Sequence, residues 1–249
     1  MKDLMFFDAD CGVGNAIKIY PDVKELFSDM DYYGVEKALV RHNNINNGIL
    51  STNKITAEYM KEDAGHRLAG VWCLLPDSCN ELPEPDVFFD QMSKNRIKAL
   101  TLSPMCHHYL PRRIVIGKIM DAALERKIPI LLSAFSGEWD KLYDFLAEFP
   151  KNIYIFAGDS GKWGNDRNVR PLFEQYEHFH FTTAGYWIPE GIADMAHKYG
   201  AERILYGSGY PRYNQGNGML QIKHSGLKDD EVAKIAGLNL EKLLKGAEL

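Results

Sequence analysis

The stretch Ile128-Pro129-Ile130-Leu131-Leu132 is apolar at every position and is followed at once by Ser133. A strand that is covered by helices on both faces has this composition, so the stretch indicates a strand of a parallel sheet. Other short runs of apolar, strand-forming residues predict seven further strands, over residues 4–7, 37–40, 70–75, 97–102, 153–157, 179–183 and 203–206.

Segments with helical spacing separate these runs. Between residues 114 and 126, Ile116, Ile119, Met120 and Ala123 recur every three or four positions and form one apolar face. Similar patterns predict helices over residues 21–33, 139–149, 169–176, 189–199 and 229–245. Eight strands with this spacing in 249 residues are the number that a (β/α)8 TIM barrel requires. We therefore predict a single α/β barrel domain over residues 1–249.

The composition excludes several classes of function. Lys and Arg together number 29 and Asp and Glu 34, so the net charge of −5 argues against a nucleic-acid-binding protein. No apolar run approaches the ~20 residues that cross a bilayer, and the first residues do not resemble a secretion signal. The four cysteines lack paired spacing, which is typical of free thiols in a reducing compartment. We expect a cytoplasmic protein that binds neither nucleic acid nor membrane.

Two stretches near the C-terminus resemble a known family. Residues 200–211 read Gly-Ala-Glu-Arg-Ile-Leu-Tyr-Gly-Ser-Gly-Tyr-Pro. They are similar to the pattern G-x-x-R-[IV]-L-[FY]-G-S-D-[YF]-P of the amidohydrolase superfamily, in its branch of metal-dependent hydrolases and decarboxylases. Residues 235–244 resemble the closing helix of that family, I-x-x-x-N-x-x-x-L-[LF]. The resemblance covers nearly the whole chain and implies a TIM barrel that hydrolyses a small carboxylate, lactone or amide.

The family's metal-ligand positions are degenerate in this chain. Its first strand ends in D-x-H-x-H-x-G, whose two histidines bind a divalent metal, and these positions hold Asp10 and Gly12 here. Its other ligand positions fall on Ser133, on Gly158 or its neighbour Asp159, and on Gly209. A catalytic zinc needs about three protein ligands, so we expect no metal and no other cofactor. The alternative is a non-standard magnesium or manganese site formed by Asp10 and Asp159.

The site residues are predicted from the side chains that follow the strands, because barrel active sites lie at that end. Without a metal, the catalytic candidates are the carboxylates Asp10 and Asp159. The substrate-binding candidates are cations, histidines and aromatic residues of the same loops: Arg41, His42, His107, Trp187, Tyr210 and Arg212. Lys162 is a third cation of this group. An aromatic wall with fixed cations suits a small organic anion.

Two hypotheses about function follow. The first is an amidohydrolase-like hydrolase whose metal centre has been lost and whose remaining chemistry is acid–base catalysis by Asp10 or Asp159. The alternative is a non-catalytic barrel that binds a small organic anion or a protein partner. If Asp10 instead neutralises one of the arginines, the site is a structural ion pair and binds nothing. The resemblance also implies association into homo-oligomers, and Gly209 is expected to lie on backbone that tolerates a side chain.

Overall fold

The computed structural model describes residues 4–14, 21–43, 49–133, 135, 138–157, 162 and 164–249. In these ranges eight parallel strands form one sheet, in which each strand pairs with the next along the chain. The strands are β1 (Phe6–Val13), β2 (Val35–His42), β3 (Leu68–Cys73), β4 (Ile97–Thr101), β5 (Ile130–Leu132), β6 (Tyr154–Phe156), β7 (Phe179–Thr182) and β8 (Ile204–Leu205).

Backbone hydrogen bonds close this sheet into a barrel. The N–H of Ala9 donates to the carbonyl oxygen of Tyr206 at 2.9 Å, and the N–H of Gly12 donates to that of Tyr210 at 2.9 Å. These bonds join the chain that follows β8 to β1. The predicted (β/α)8 barrel is therefore confirmed.

Helices cover the outside of the barrel. They are α1 (Val23–Tyr33), α2 (Ile49–Glu62), α3 (Pro85–Lys94), α4 (Arg113–Glu125), α5 (Trp139–Glu148), α6 (Asp166–Gln175), α7 (Gly191–Tyr199), α8 (Met219–Lys223), α9 (Asp229–Ala233) and α10 (Asn239–Lys245). The chain is helical throughout the predicted range 229–245, where a π-helical turn, Lys234–Leu238, joins α9 to α10. None of the helices in the described ranges combines the length and apolar content that a bilayer span requires.

The helix α1 begins and ends at clear local signals. The Asp22 carboxylate accepts a hydrogen bond from the Glu25 N–H at 2.8 Å, and the Glu25 carboxylate accepts one from the Asp22 N–H at 2.8 Å. This reciprocal pair is a capping box, which satisfies two N–H groups at the helix start. The helix ends at Gly34, whose φ of 72° is left-handed.

The core consists of two clusters. Aliphatic side chains from the strands, among them Leu39, Val71, Leu131 and Ile155, fill the barrel interior, and Leu240 of α10 packs against them. A larger cluster lies between the strands and the surrounding helices. Because the interior is packed, the polar groups available for function lie at the mouth, which is the end where the carboxyl ends of the strands meet.

The strand β1 is longer than predicted. The predicted strand ends at residue 7, because polar residues and glycines follow, whereas β1 continues to Val13. It is hydrogen-bonded to β2 on one edge and to Tyr206 and Tyr210 on the other, and this pairing keeps the polar segment extended. The register against β2 shifts between Asp8 and Cys11, where β1 has one extra residue. Two carboxylates, Asp8 and Asp10, therefore lie within a strand.

Candidate functional site at the barrel mouth

Asp10 and Arg41 form an ion pair between neighbouring strands at the mouth. The Asp10 side chain, on β1, is completely buried, and one of its oxygens accepts a hydrogen bond from Nη1 of Arg41, on β2, at 2.7 Å. The Arg41 side chain remains 15% exposed. Among the described residues, the structure gives Arg41 no other hydrogen-bond partner. The pair thus consists of a fixed carboxylate and a guanidinium that still reaches solvent.

The backbone that follows the neighbouring strand β8 approaches this pair closely. Gly207 follows β8, and a Cβ at this position would lie 3.1 Å from the Cβ of Asp10 and 2.7 Å from the Cβ of Thr182, at the end of β7. Real Cβ atoms are not found so close, so only glycine fits without a shift. Asp10 and Thr182 therefore face each other across the backbone of Gly207.

A buried lysine completes this arrangement. The Lys162 ammonium donates to the Thr182 carbonyl oxygen at 2.8 Å, to Thr182 Oγ1 at 2.6 Å and to the Ala184 carbonyl oxygen at 3.0 Å. The Lys162 side chain is fully buried, between the rings of Phe156 and Phe181. The sequence-based placement of Lys162 among the anion-binding cations is wrong, because its N–H groups are directed at the end of β7. We refer to Asp10, Arg41, Lys162 and Thr182 as the mouth cluster.

Beneath the mouth cluster, Asp8 organises a second polar network. One oxygen of its buried carboxylate accepts from the N–H groups of Asp10 at 3.0 Å and Ser208 at 2.9 Å. The other accepts from Cys11 Sγ at 3.0 Å and from Gln215 Nε2 at 3.2 Å. Burial raises the pKa of the Asp8 carboxyl, although hydrogen bonds from Cys11, Ser208 and the Asp10 N–H oppose the rise. Burial also raises the pKa of the Cys11 thiol well above its usual value, so this thiol is a poor nucleophile.

The described residues do not fit the metal that the sequence resemblance implies. At the Gly12 position a Cβ would overlap the Asn43 side chain, so this position has no room for a ligand. Among the described residues, no group of three His, Cys, Asp or Glu side chains is arranged so that it could hold a metal ion. Gly158 and Asp159 lie outside the described residues, so the predicted Asp10–Asp159 metal site and the catalytic role of Asp159 stay predictions.

The backbone at Gly209 differs from expectation. Its φ is +77°, in the region that favours glycine, and a Cβ there would lie 3.2 Å from the Tyr213 ring. The expectation that this position tolerates a side chain is wrong, because the glycine is required by the turn that follows β8.

Two predicted binding residues, His42 and His107, lie beside the strand ends. The His42 ring stacks on Tyr59 of α2, with ring centroids 6.1 Å apart, and burial lowers its pKa. Because neighbouring residues of a strand point to opposite faces, Arg41 joins the mouth cluster while His42 packs against a helix. His107 lies in the turn after β4, where its N–H donates to the Ser103 carbonyl oxygen at 3.0 Å.

The remaining predicted residues do not form one aromatic wall. Trp187 packs edge-on against Tyr213, with ring centroids 5.2 Å apart, and lines a cavity of about 330 Å³ near the start of α7. The Arg212 guanidinium lies 6.0 Å from the centre of the Tyr213 ring. Tyr210 lines a different cavity, next to α1. Of the predicted site residues that are described, the structure joins only Asp10 and Arg41 directly.

Sequence analysis missed Asp8, Thr182 and Gln215. Gln215 reaches Asp8 from a loop more than 200 positions away, and no local spacing indicates such a contact. Asp8 corresponds to the first residue of the D-x-H-x-H-x-G pattern, but no role was predicted for it. The signal for Thr182 is its position, because it is a polar residue near the end of a predicted strand, and β7 ends at this residue.

No protein-family model and no curated protein matches the sequence. Solved structures match along almost the whole chain. A putative amidohydrolase from Staphylococcus aureus is 16% identical, with 97% of this chain and 100% of that chain covered and a TM-score of 0.73. The 5-carboxyvanillate decarboxylase from Sphingomonas paucimobilis is 13% identical, with 98% and 99% covered and a TM-score of 0.71.

A third solved structure is similar to this chain to the same extent. A probable 2-pyrone-4,6-dicarboxylic acid hydrolase from Acinetobacter baumannii, solved with citric acid bound, is 13% identical, with 96% and 99% covered and a TM-score of 0.72. The fold that this chain shares with these structures is the (β/α)8 barrel. The sequence-based resemblance is confirmed at the level of the fold, which is what identities this low establish.

Proposed function

We propose that this protein binds a small organic carboxylate at the barrel mouth and that Arg41 is its anion-binding residue. The observation that carries the proposal is the Asp10–Arg41 pair, in which a fully buried carboxylate fixes one end of a guanidinium that remains partly exposed. A guanidinium presents several N–H donors in a planar fork that matches a carboxylate. With Nη1 held by Asp10, the other donors are oriented before a ligand arrives, which lowers the entropic cost of binding.

The charges of the mouth cluster support an anionic ligand. Its members are two cations, Arg41 and Lys162, one carboxylate, Asp10, and the neutral Thr182. Lys162 is buried and donates to protein oxygens, so Arg41 is the cation of this cluster that would contact a bound carboxylate, without a metal ion. The barrels matched by this chain include a carboxyvanillate decarboxylase and a probable dicarboxylic acid hydrolase. A small carboxylate is therefore the ligand class that both the charges and the fold favour.

The second candidate function is metal-independent hydrolysis of a bound carboxylate, lactone or amide, with Asp10 as proton acceptor. The observation that favours it is the position of Asp10 near the carboxyl end of β1, where barrel enzymes carry catalytic groups. The anion-binding proposal needs Arg41 alone, whereas catalysis needs a second group, for which the sequence offers Asp159. Binding is therefore our first proposal. Cytoplasmic location and homo-oligomer formation remain predictions.

A thermal-shift screen tests the binding proposal. The ligands are small mono- and dicarboxylates, inorganic phosphate as a general anion, and the corresponding amides as neutral controls. The test variant is the double substitution Arg41→Met and Asp10→Asn, which removes both charges together and so avoids a buried unpaired carboxylate. The control variant is Arg212→Ala. Elemental analysis of the purified protein is run beside the screen.

We expect at least one carboxylate to raise the melting temperature of the wild type and of Arg212→Ala, but not that of the double variant. A ligand at one hundred times its Kd stabilises by about 2.7 kcal/mol, which is readily detected. If no carboxylate stabilises the wild type, or if the double variant responds equally, the proposal fails. The second candidate function is tested by assaying turnover without added metal. Turnover by the wild type that is lost in Asp10→Asn would favour hydrolysis over binding alone.

A further inference from the structure

A cleft outside the mouth cluster has a different chemical character. It has a volume of about 610 Å³ and lies between α1 and the loop that follows β8. Its walls include the tyrosines Tyr32, Tyr210 and Tyr213, and its carboxylates are Glu25 and Asp29. A volume of this size falls within the range of small-molecule sites, roughly 300–1,000 Å³.

The described lining of this cleft contains two carboxylates and no Lys, Arg or His. Glu25 accepts from the N–H of Asp22, and Asp29 accepts from the N–H of Gln215 at 2.8 Å. Within the described part of the chain, neither carboxylate forms an ion pair. Glu25 and Asp29 are four residues apart on α1, so they lie on the same face, and two like charges with this spacing repel each other.

Partial burial makes this arrangement more costly at Asp29. Desolvation raises the pKa of the Asp29 carboxyl, and the Gln215 N–H offsets this only in part. A positive ligand would relieve both the desolvation of Asp29 and its repulsion by Glu25. The nearby Tyr210 shows the same negative environment: its pKa is raised by burial and then by the charges of Asp29 and Glu25.

The tyrosines add a second, independent attraction for a cation. Tyr210 is only 8% exposed and forms a fixed wall, whereas Tyr32 is 81% exposed beside the same cleft. Aromatic faces attract ammonium groups by about 0.5–1 kcal/mol at exposed sites and more where water is excluded. The proline rings of Pro21 and Pro211 make the lining partly apolar. Such walls suit the carbon skeleton of an organic ion, whereas calcium or magnesium requires six or more oxygen ligands.

We propose that this cleft binds a small organic cation, an aliphatic ammonium compound, between the carboxylates of α1 and the tyrosine rings. One ammonium group contacts Asp29 and Glu25, and the attached carbon chain packs on Tyr210 and Tyr32. The site is independent of carboxylate binding at Arg41. It uses other residues and the opposite ligand charge.

Isothermal titration calorimetry tests the proposal with three probes: 1,4-diaminobutane, tetramethylammonium, and 1,4-butanediol as the neutral counterpart of the diamine. The variants are Asp29→Asn, which keeps an oxygen for the Gln215 N–H, and Tyr32→Leu, which removes an exposed ring. The control is the double substitution Arg41→Met and Asp10→Asn at the mouth. Thermal unfolding of each variant verifies that it is folded.

We expect the wild type and the mouth variant to bind the diamine equally, with Asp29→Asn weaker by tenfold or more. Tyr32→Leu should weaken tetramethylammonium binding about threefold, because the cation loses one ring face. The inference is overturned if neither cation binds the wild type more tightly than 1,4-butanediol, or if Asp29→Asn binds the diamine like the wild type. Because the probes and variants differ from those of the carboxylate screen, each site can fail without the other.

Discussion

Arg41 and Lys162 are two cations of the same barrel mouth with opposite surroundings. Arg41 has one charged partner, Asp10, and 15% of its side chain is exposed. Lys162 is fully buried and donates to three oxygen atoms of Thr182 and Ala184. Sequence alone places both in strand-end loops and gives them the same role. Under our proposal, exposure and the number of acceptors decide which cation serves a ligand and which one stabilises the fold.

The same contrast exists between the two carboxylates of β1. Asp10 is paired with a guanidinium, whereas Asp8 accepts from uncharged donors, among them the N–H groups of Asp10 and Ser208 and the Cys11 thiol. Because Asp10 is bonded to a cation and Asp8 is not, Asp10 is the carboxylate that holds Arg41 in place. Asp8 instead ties β1 to Ser208 and Gln215, and so keeps the strand that carries Asp10 in position.

The largest expected effect is at Lys162. We predict that Lys162→Met lowers the free energy of unfolding by roughly 3–5 kcal/mol, because several buried oxygens lose their donor at once. Urea-induced unfolding measures the change, and Lys61→Met, at a side chain that is 65% exposed, is the matched control. If Lys162→Met lowers the free energy of unfolding by less than about 1 kcal/mol, Lys162 does not have the stabilising role that distinguishes it from Arg41.

The second-largest expected effect on stability concerns the Asp10–Arg41 pair. Asp10→Asn should lower the free energy of unfolding by about 2 kcal/mol, because the guanidinium loses its counter-charge while remaining partly solvated. The double substitution Asp10→Asn and Arg41→Met should be less destabilised than the sum of the two single variants, as expected for a coupled pair. Simple additivity in urea unfolding would show that the pair contributes no coupling energy.

A smaller effect is expected at Gly209. Gly209→Ala places a side chain at a φ of +77° and against the Tyr213 ring, so we predict a loss of about 1–2 kcal/mol in unfolding free energy. Gly34→Ala is the control, because its φ of 72° imposes similar strain with no atom within 4 Å of the added Cβ. If both variants lose the same unfolding free energy, backbone strain accounts for the whole effect and the Tyr213 ring contributes nothing.

The smallest effect concerns pH. The pKa of Asp8 is raised in the folded protein, so the folded state holds this proton more tightly than the unfolded state. The stability contributed by the protonated carboxyl is present below the unfolded pKa, near 3.8, and is lost as the pH rises through the folded value. The wild type should therefore become less stable relative to Asp8→Asn as the pH rises from about 4 toward neutrality. A difference that stays constant with pH would contradict this assignment.

Much of the fold was predictable because its strands are short apolar runs. The eight predicted strands all exist, and Ile128–Leu132 illustrates why, since a strand buried on both faces leaves a continuous apolar stretch. The end of β1 was not predictable, because residues 8–13 owe their extended form to pairing with β2 and Tyr210. Pairing between distant segments cannot be predicted from the local sequence.

The site was less predictable than the fold. Asp10 and Arg41 were identified because a barrel places the ends of neighbouring strands side by side. The burial of Lys162 depends on how its loop folds over β7, and the Asp8–Gln215 bond joins residues that are far apart in sequence. Residue type and strand-end position do not encode either contact. They also did not indicate that Trp187 and Tyr210 line separate cavities.

The most direct test of the central claim is the affinity of Arg41→Lys for the carboxylate that stabilises the wild type most in the screen. Lysine keeps the positive charge but lacks the planar fork, so it cannot hold Asp10 and a ligand carboxylate in the same geometry. Calorimetric titration should give a Kd at least tenfold weaker than that of the wild type, with the protein still folded. An unchanged Kd in Arg41→Lys would contradict the assignment of Arg41 as the anion-binding residue.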